Sequence, residues 1–95
     1  MAKKTNVPLS TDLEIGKGYL IRTVTLHYTG RVAAVGPSFT LLTDAAWIAD
    51  TGRFSTALKT GVLNEVEPYP DRVIVAAGSV VDITRWDHAL PRDVK

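Results

Sequence analysis

A run rich in β-branched and aromatic residues covers residues 19–28 of the chain. Its apolar side chains at Leu20, Val24, Leu26 and Tyr28 share one parity. A period of two is typical of a strand with one buried face, so the pattern predicts a long first strand here.

Two further β-rich segments, residues 30–35 and 39–43, are joined by Gly36-Pro37-Ser38. Proline presets φ and cannot donate to a strand ladder, so this tripeptide predicts the turn of a hairpin. Gly30 lies inside the strand pattern, where a glycine marks a bulge, a bend or a close backbone approach. A short sheet needs such bends to curl onto itself, and the segment therefore indicates a small, strongly bent barrel.

The pattern changes between residues 44 and 60, where an alanine-rich stretch leads into Asp50-Thr51-Gly52. Two apolar side chains four residues apart then predict a short helix over residues 54–60. Asp50 or Thr51 is the expected N-terminal cap, and Gly61 is the expected stop.

Two very short apolar runs, residues 73–77 and 80–84, lie on either side of Gly78-Ser79. They predict two short strands separated by a sharp break. Before them, Pro68 and Pro70 favour an extended connection rather than a helix.

These elements together predict a mainly β fold, a small five-stranded, strongly bent barrel with a short helix in a long insert at residues 45–72. The length of 95 residues fits one domain that folds without disulfides or metal. We expect a single domain over residues 1–95, with flexible ends near residues 1–9 and 87–95.

The amino-acid composition narrows the range of functions expected of this protein. The chain has no cysteine, and its 11 basic and 10 acidic side chains give a formal charge of +1, so a nucleic-acid site would have to be a local patch. No apolar stretch approaches the roughly 18 residues needed to span a membrane. The first residues of the chain lack the apolar run of a signal peptide. The expectation is a soluble cytoplasmic protein with no membrane partner.

The sequence contains no recognisable catalytic or metal motif. His27 and His88 are the only histidines, and neither has a partner at ligand spacing. The serines lack the context of an activated nucleophile, and Gly16-Lys17-Gly18 lacks the rest of a phosphate loop. We therefore expect no enzyme activity, no cofactor, no metal and no small-molecule substrate.

Two segments resemble the signatures of the Sm-like family, small SH3-like barrels usually built as rings of subunits. The first is matched by Gly30, Val32, Val35, Phe39 and Leu41-Leu42, and the second by the apolar runs of residues 73–83. Gly36 and Thr40 stand where the family has aspartate and asparagine, and Ala76-Ala77 replace its basic pair. The resemblance implies a barrel fold and ring assembly, without the polar residues that read single-stranded RNA.

The leading hypothesis is a non-enzymatic module that assembles with copies of itself into a closed ring or small shell, with a structural or scaffolding role. Open strand edges carry unpaired amides and carbonyls, which pairing with a neighbour would satisfy. The residues expected at subunit contacts are Phe39, Leu41, Trp47, Phe54, Val73, Val75 and Val81.

The alternative hypothesis is an Sm-like protein that binds RNA or another single-stranded nucleic acid. Basic side chains would contact phosphates while an aromatic ring stacks on a base. The residues expected in that role are Lys17, Arg22, Tyr28, Arg31, Arg53, Arg85 and Trp86.

Overall fold

The computed structural model describes residues 13–95, in which six strands form a single antiparallel sheet. The flexible start that the sequence predicts near residues 1–9 lies outside this range. A helix, α1 (Phe54–Thr60), follows the third strand, and one turn of 3-10 helix (Ala77–Ser79) joins the last two. The strands are β1 (Gly18–Thr23), β2 (His27–Val35), β3 (Phe39–Asp50), β4 (Glu65–Pro68), β5 (Val73–Ala76) and β6 (Val80–Arg85).

The long strand β3 organises the sheet. The strand order is β4-β3-β2-β1-β6, and β5 also pairs with β3, so the sheet is not closed within the described residues. The first half of β3 pairs with β5, from Phe39 opposite Ala76 to Leu42 opposite Val73, and its second half pairs with β4. Asp44, between the two halves, has a positive φ of 50°. Two short strands, β5 and β4, therefore pair with the same edge of β3.

Several local predictions are confirmed. The fold is mainly β, α1 covers residues 54–60, and Gly61 ends it in the left-handed conformation. The predicted turn joins β2 to β3, with the Gly36 amide donating to the Phe39 carbonyl at 2.8 Å. Gly30 lies where the register between β2 and β3 shifts, and a Cβ there would be 3.1 Å from Leu42. The glycine thus marks both a bulge and a close approach.

Other strand boundaries differ from the prediction. Residues 13–95 form six strands rather than the five predicted, because residues 65–68, predicted as a connection, pair with β3. The run over residues 19–28 is two strands: Thr23 accepts a hydrogen bond from the Leu26 amide and donates to its carbonyl, which reverses the chain. β3 continues to Asp50, so the insert starts after that residue rather than at Ala45.

The predicted N-terminal cap of α1 is also wrong. Arg53 occupies the cap position and makes no side-chain capping hydrogen bond. The Asp50 carboxylate instead accepts from the Gly52 amide at 2.8 Å. That bond belongs to the turn before the helix rather than to the helix itself.

Apolar side chains pack on both faces of the sheet. Successive residues of β1 divide between the two faces, with Tyr19 and Ile21 on one and Leu20 on the other, as the pleat requires. The inner core contains Tyr19, Ile21, Val32, Leu42, Ala45 and Val75. The outer core, under α1, contains Leu20, Ala46, Ile48, Ala57, Leu63, Val66 and Trp86.

Residues 86–95, which we call the C-terminal strap, lie against the rest of the protein. His88 Nε2 is 2.7 Å from the Leu58 carbonyl of α1. The Arg92 guanidinium donates to the Ala45 carbonyl at 3.2 Å, and Lys95 exchanges two backbone hydrogen bonds of 2.9 Å with Val66 of β4. The strap therefore occupies the outer edge of β4. No helix of residues 13–95 is long and apolar enough to span a membrane.

Candidate functional site

Two strands present unpaired edges. Within the described residues, β5 pairs only with β3 and β6 pairs only with β1. The 3-10 turn between them starts with a hydrogen bond from the Ala77 amide to the Ser38 carbonyl at 2.9 Å. Each strand can thus accept one more hydrogen-bonded neighbour.

Branched apolar side chains project outward from both of these strands. Ile74 of β5 is 69% exposed, and Val81 of β6 is 60% exposed. On the outer face of β3, Leu41 lies opposite Ile74 and Phe39 lies opposite Ala76. Phe39, Leu41 and Ile74, with Asp71 and Arg72, line a depression of about 330 Å³. The edge of β5 therefore borders an apolar patch.

The other predicted contact residues are distributed differently. Val75 is buried in the inner core, and Val73 packs against that core, so these two side chains point away from the patch. Trp47 lies on β3 between Tyr28 and Glu67 of its neighbouring strands. Phe54 starts α1 and lies beneath the Arg22 guanidinium, 5.1 Å from the ring centre.

Ile74 is the exposed residue that sequence reasoning missed. The run Val73-Ile74-Val75 is apolar at every position, so it contains no alternation that tells the inward face from the outward one. A signal existed in the partner strand β3, because Thr40 and Leu42 pair with Val75 and Val73 and share their inward parity. Recognising it requires the strand register, which the sequence does not state.

Four of the residues predicted to bind nucleic acid meet in one place. Lys17, Arg31, Arg85 and Trp86 line a cavity of about 300 Å³, together with the backbone of Gly16 and Gly18. We call this the basic cavity. Arg31 contacts Asp44 at 3.4 Å, and Arg85 contacts Glu14 at 3.4 Å and Asp87 at 3.1 Å.

The aromatic members of that predicted set do not present a free stacking surface. Trp86 is only 2% exposed, and its ring meets His88 edge to face with 4.9 Å between the ring centres. Tyr28 is half-buried and faces Tyr69 across 6.1 Å. Burial raises the pKa of the Tyr69 hydroxyl, and the nearby Tyr28 hydroxyl adds to this effect.

Arg22 is held in an ion pair, and Arg53 lies apart at the exposed start of α1. Arg22 Nε donates to Asp82 Oδ1 at 2.8 Å, and its Nη2 donates to Asp82 Oδ2. These bonds favour the charged carboxylate, so the pKa of Asp82 is lowered and the pKa of Arg22 is raised. Arg22 is thus already occupied by a partner on β6.

This ion pair predicts a pH-dependent loss of stability. Above the ordinary carboxyl pKa of about 4, Asp82 is charged in both states and the pair stabilises the fold fully. As the pH falls through the lowered pKa of the folded state, that stabilisation disappears. Asp82→Asn should therefore reduce the urea midpoint at neutral pH, by a small amount because the pair is partly exposed.

The midpoint difference between Asp82→Asn and the parent protein should shrink as the pH falls through the lowered pKa of Asp82, and it should disappear once the parent carboxyl is protonated. Asp71→Asn is the control, since its carboxylate is exposed and lies 3.9 Å from the Arg72 guanidinium, although it also accepts a hydrogen bond of 2.7 Å from the Arg72 amide. A midpoint difference for Asp82→Asn that persists at low pH would contradict a charge-based role.

No metal centre is visible in residues 13–95. No group of three or more His, Cys, Asp or Glu side chains in that range is placed to hold a metal ion. A scan against protein-family models and a search of curated proteins found no match to this chain. The free strand edges and the charged surface are the features of residues 13–95 that remain as candidate sites.

Proposed function

We propose that the protein is a non-enzymatic assembly module in which β5 of one copy pairs with β6 of the next, forming a closed homo-oligomer. The observation that carries this proposal is that both strands have a free edge within the described residues and an exposed apolar side chain, Ile74 or Val81. The contact joins two different surfaces, so it propagates from copy to copy and closes into a ring if the rotation allows.

Pairing of these edges is physically favourable. It satisfies backbone amides and carbonyls and removes an exposed sheet edge that is open to uncontrolled aggregation. Fully burying a side chain such as Ile74 or Val81 contributes about 1.5–3 kcal/mol relative to leaving it in water. Charges and prolines are the usual protection of an edge strand, and Val73–Ala76 contains neither.

The resemblance to Sm-like barrels supports the same mode of assembly. It rests on Gly30, on the β2–β3 hairpin and on two short strands joined by a tight turn. The turns 36–38 and 77–79 meet at the Ser38–Ala77 hydrogen bond, and neither contains a charged side chain. In the family, residues near these turns supply the base contacts, so assembly is favoured over RNA recognition.

Native mass spectrometry with light scattering tests the proposal. The parent protein should form one defined oligomer at micromolar concentration, without a bound oligonucleotide. Ile74→Glu or Val81→Glu should shift it to monomer, weakening association about tenfold or more, because each buries an unpaired carboxylate in the contact. Val62→Glu is the control, since Val62 is exposed in the loop between α1 and β4.

A mixture of the two variants is the sharper experiment. Ile74→Glu retains an intact β6 edge and Val81→Glu retains an intact β5 edge, so the mixture should form a one-to-one dimer and no larger species. A parent protein that stays monomeric at micromolar concentration would overturn the proposal. So would a defined oligomer that neither substitution weakens.

A further inference from the structure

We propose that the basic cavity is a binding site for a phosphate group with two negative charges, carried at the end of a small ligand. This proposal is independent of assembly through β5 and β6. It rests on the convergence of Lys17, Arg31 and Arg85 on one cavity of about 300 Å³. That volume is at the lower end of the range for small-ligand sites.

The sheet register brings these cations together. Gly18 of β1 lies opposite Arg31 of β2, and its carbonyl accepts the Trp86 amide directly after Arg85 of β6. The three basic residues therefore come from adjacent positions on three neighbouring strands or their ends. Because these three residues are distant in the sequence, no local sequence motif predicts the site.

A glycine makes room for this arrangement. A Cβ on Gly18 would be 2.7 Å from the Trp86 carbonyl oxygen and 3.4 Å from Leu90. The strap can approach β1 only because that Cβ is absent. The cavity is thus lined by residues 16–18, by Arg31 and Arg85, and by residues 86–90 of the strap, which include the acidic Asp87.

The existing ion pairs leave these cations available. Arg31 pairs with Asp44 at 3.4 Å, and Arg85 pairs with Glu14 at 3.4 Å and with Asp87 at 3.1 Å. The side chains of these three acidic partners are about half exposed or more. Exposed pairs of this kind contribute little, so a multivalent anion can replace them. Lys17 makes no ion pair with any residue from 13 to 95. By contrast, Arg22 makes two hydrogen bonds to Asp82, so its guanidinium is less available to bind an anion.

The chemistry of the lining selects a phosphate over a carboxylate. Two guanidinium groups offer planar sets of donors that match phosphate oxygens, and a lysine adds a point charge. A terminal phosphate has three acceptor oxygens and more than one negative charge, so it can contact all three cations. An internal phosphodiester carries only one charge and fits this site less well.

Titration with inorganic phosphate, followed by amide NMR at constant ionic strength, tests the site. Saturable shifts are expected at Lys17, Gly18 and Trp86. Arg31→Ala should weaken binding about tenfold, because charge-assisted hydrogen bonds are the strongest contacts available here. Lys17→Ala should weaken it less, and Lys59→Ala, in the last turn of α1, is the control that should leave it unchanged.

Asp87→Asn provides a test in the opposite direction. It removes the carboxylate that lies 3.1 Å from Arg85, so phosphate should bind about threefold more tightly. This variant and Lys17→Ala change exposed side chains, which keeps the test valid if Arg31→Ala fails to fold. Shifts that do not saturate, or that Lys59→Ala changes as much as Lys17→Ala does, would overturn the proposal.

Two ligands identify the source of the phosphate. Adenosine monophosphate and a tetranucleotide with a 5′-phosphate both present the proposed group, and the tighter binder of the two indicates whether a free nucleotide or a strand end is preferred. A tetranucleotide without the 5′-phosphate should bind at least tenfold more weakly than its phosphorylated form. Equal binding of these two strands would overturn the assignment to a terminal phosphate.

Discussion

Trp86→Ala should lower the free energy of unfolding by about 3–5 kcal/mol, the range for removing a large aromatic side chain from a core. Trp86 is 2% exposed in the outer core, and it anchors the strap beside α1. Such a loss is a large fraction of the stability of a domain of this size. Urea denaturation followed by far-ultraviolet circular dichroism measures it without depending on tryptophan emission.

Trp47→Ala is the matched control for this substitution. Trp47 is 37% exposed on β3, so its loss should cost about 1 kcal/mol, clearly less than that of Trp86. Equal stability of the two variants would contradict the burial of Trp86. A Trp86→Ala protein that folds normally but loses affinity for single strands would instead favour the nucleic-acid alternative.

Gly61→Ala should lower the free energy of unfolding by about 2–5 kcal/mol. Gly61 has a φ of 78°, a conformation that costs an L-residue about 1–2 kcal/mol. A Cβ would also be 2.6 Å from His88 Cγ and 2.7 Å from His88 Cβ, and such overpacking costs about 1–3 kcal/mol. The same urea experiment measures the sum of these two effects.

Gly16→Ala separates the two contributions. Gly16 has a φ of 89°, but a Cβ there would meet nothing within 4 Å. It should therefore cost only the backbone strain of about 1–2 kcal/mol. If Gly61→Ala cost no more than Gly16→Ala, the strap could move away from α1 freely, and the packing of His88 against the helix end would contribute nothing to stability.

The assembly proposal and the basic cavity lead to independent expectations. A monomeric protein that binds phosphate would remove the first proposal and retain the second. An oligomer that does not bind phosphate would retain the first proposal and remove the second. The two sites share no side chain, since Ile74 and Val81 lie outside the cavity lining. Interaction between the sites would appear as a phosphate-dependent change in subunit number.

Features that depend on neighbouring residues could be predicted from the sequence. The bounds of α1, its end at Gly61, the Gly36-Pro37-Ser38 turn and the irregularity at Gly30 are all readable from the chain. Turn and helix-end preferences arise from φ restrictions and nearby backbone hydrogen bonds, so a few consecutive residues contain the information. Mainly β character follows in the same way from short runs of β-branched residues.

The number of strands and the direction of their side chains depend on tertiary contacts. Residues 65–68 become a strand because β3 continues far enough to pair with them, and Ile74 faces outward because Leu41 lies opposite it. Trp86 is in a polar stretch of sequence, yet it is buried by side chains from β1, β3 and α1. Side-chain burial and strand register depend on contacts between segments that are distant along the chain. The strand propensity of a short segment does not predict those contacts.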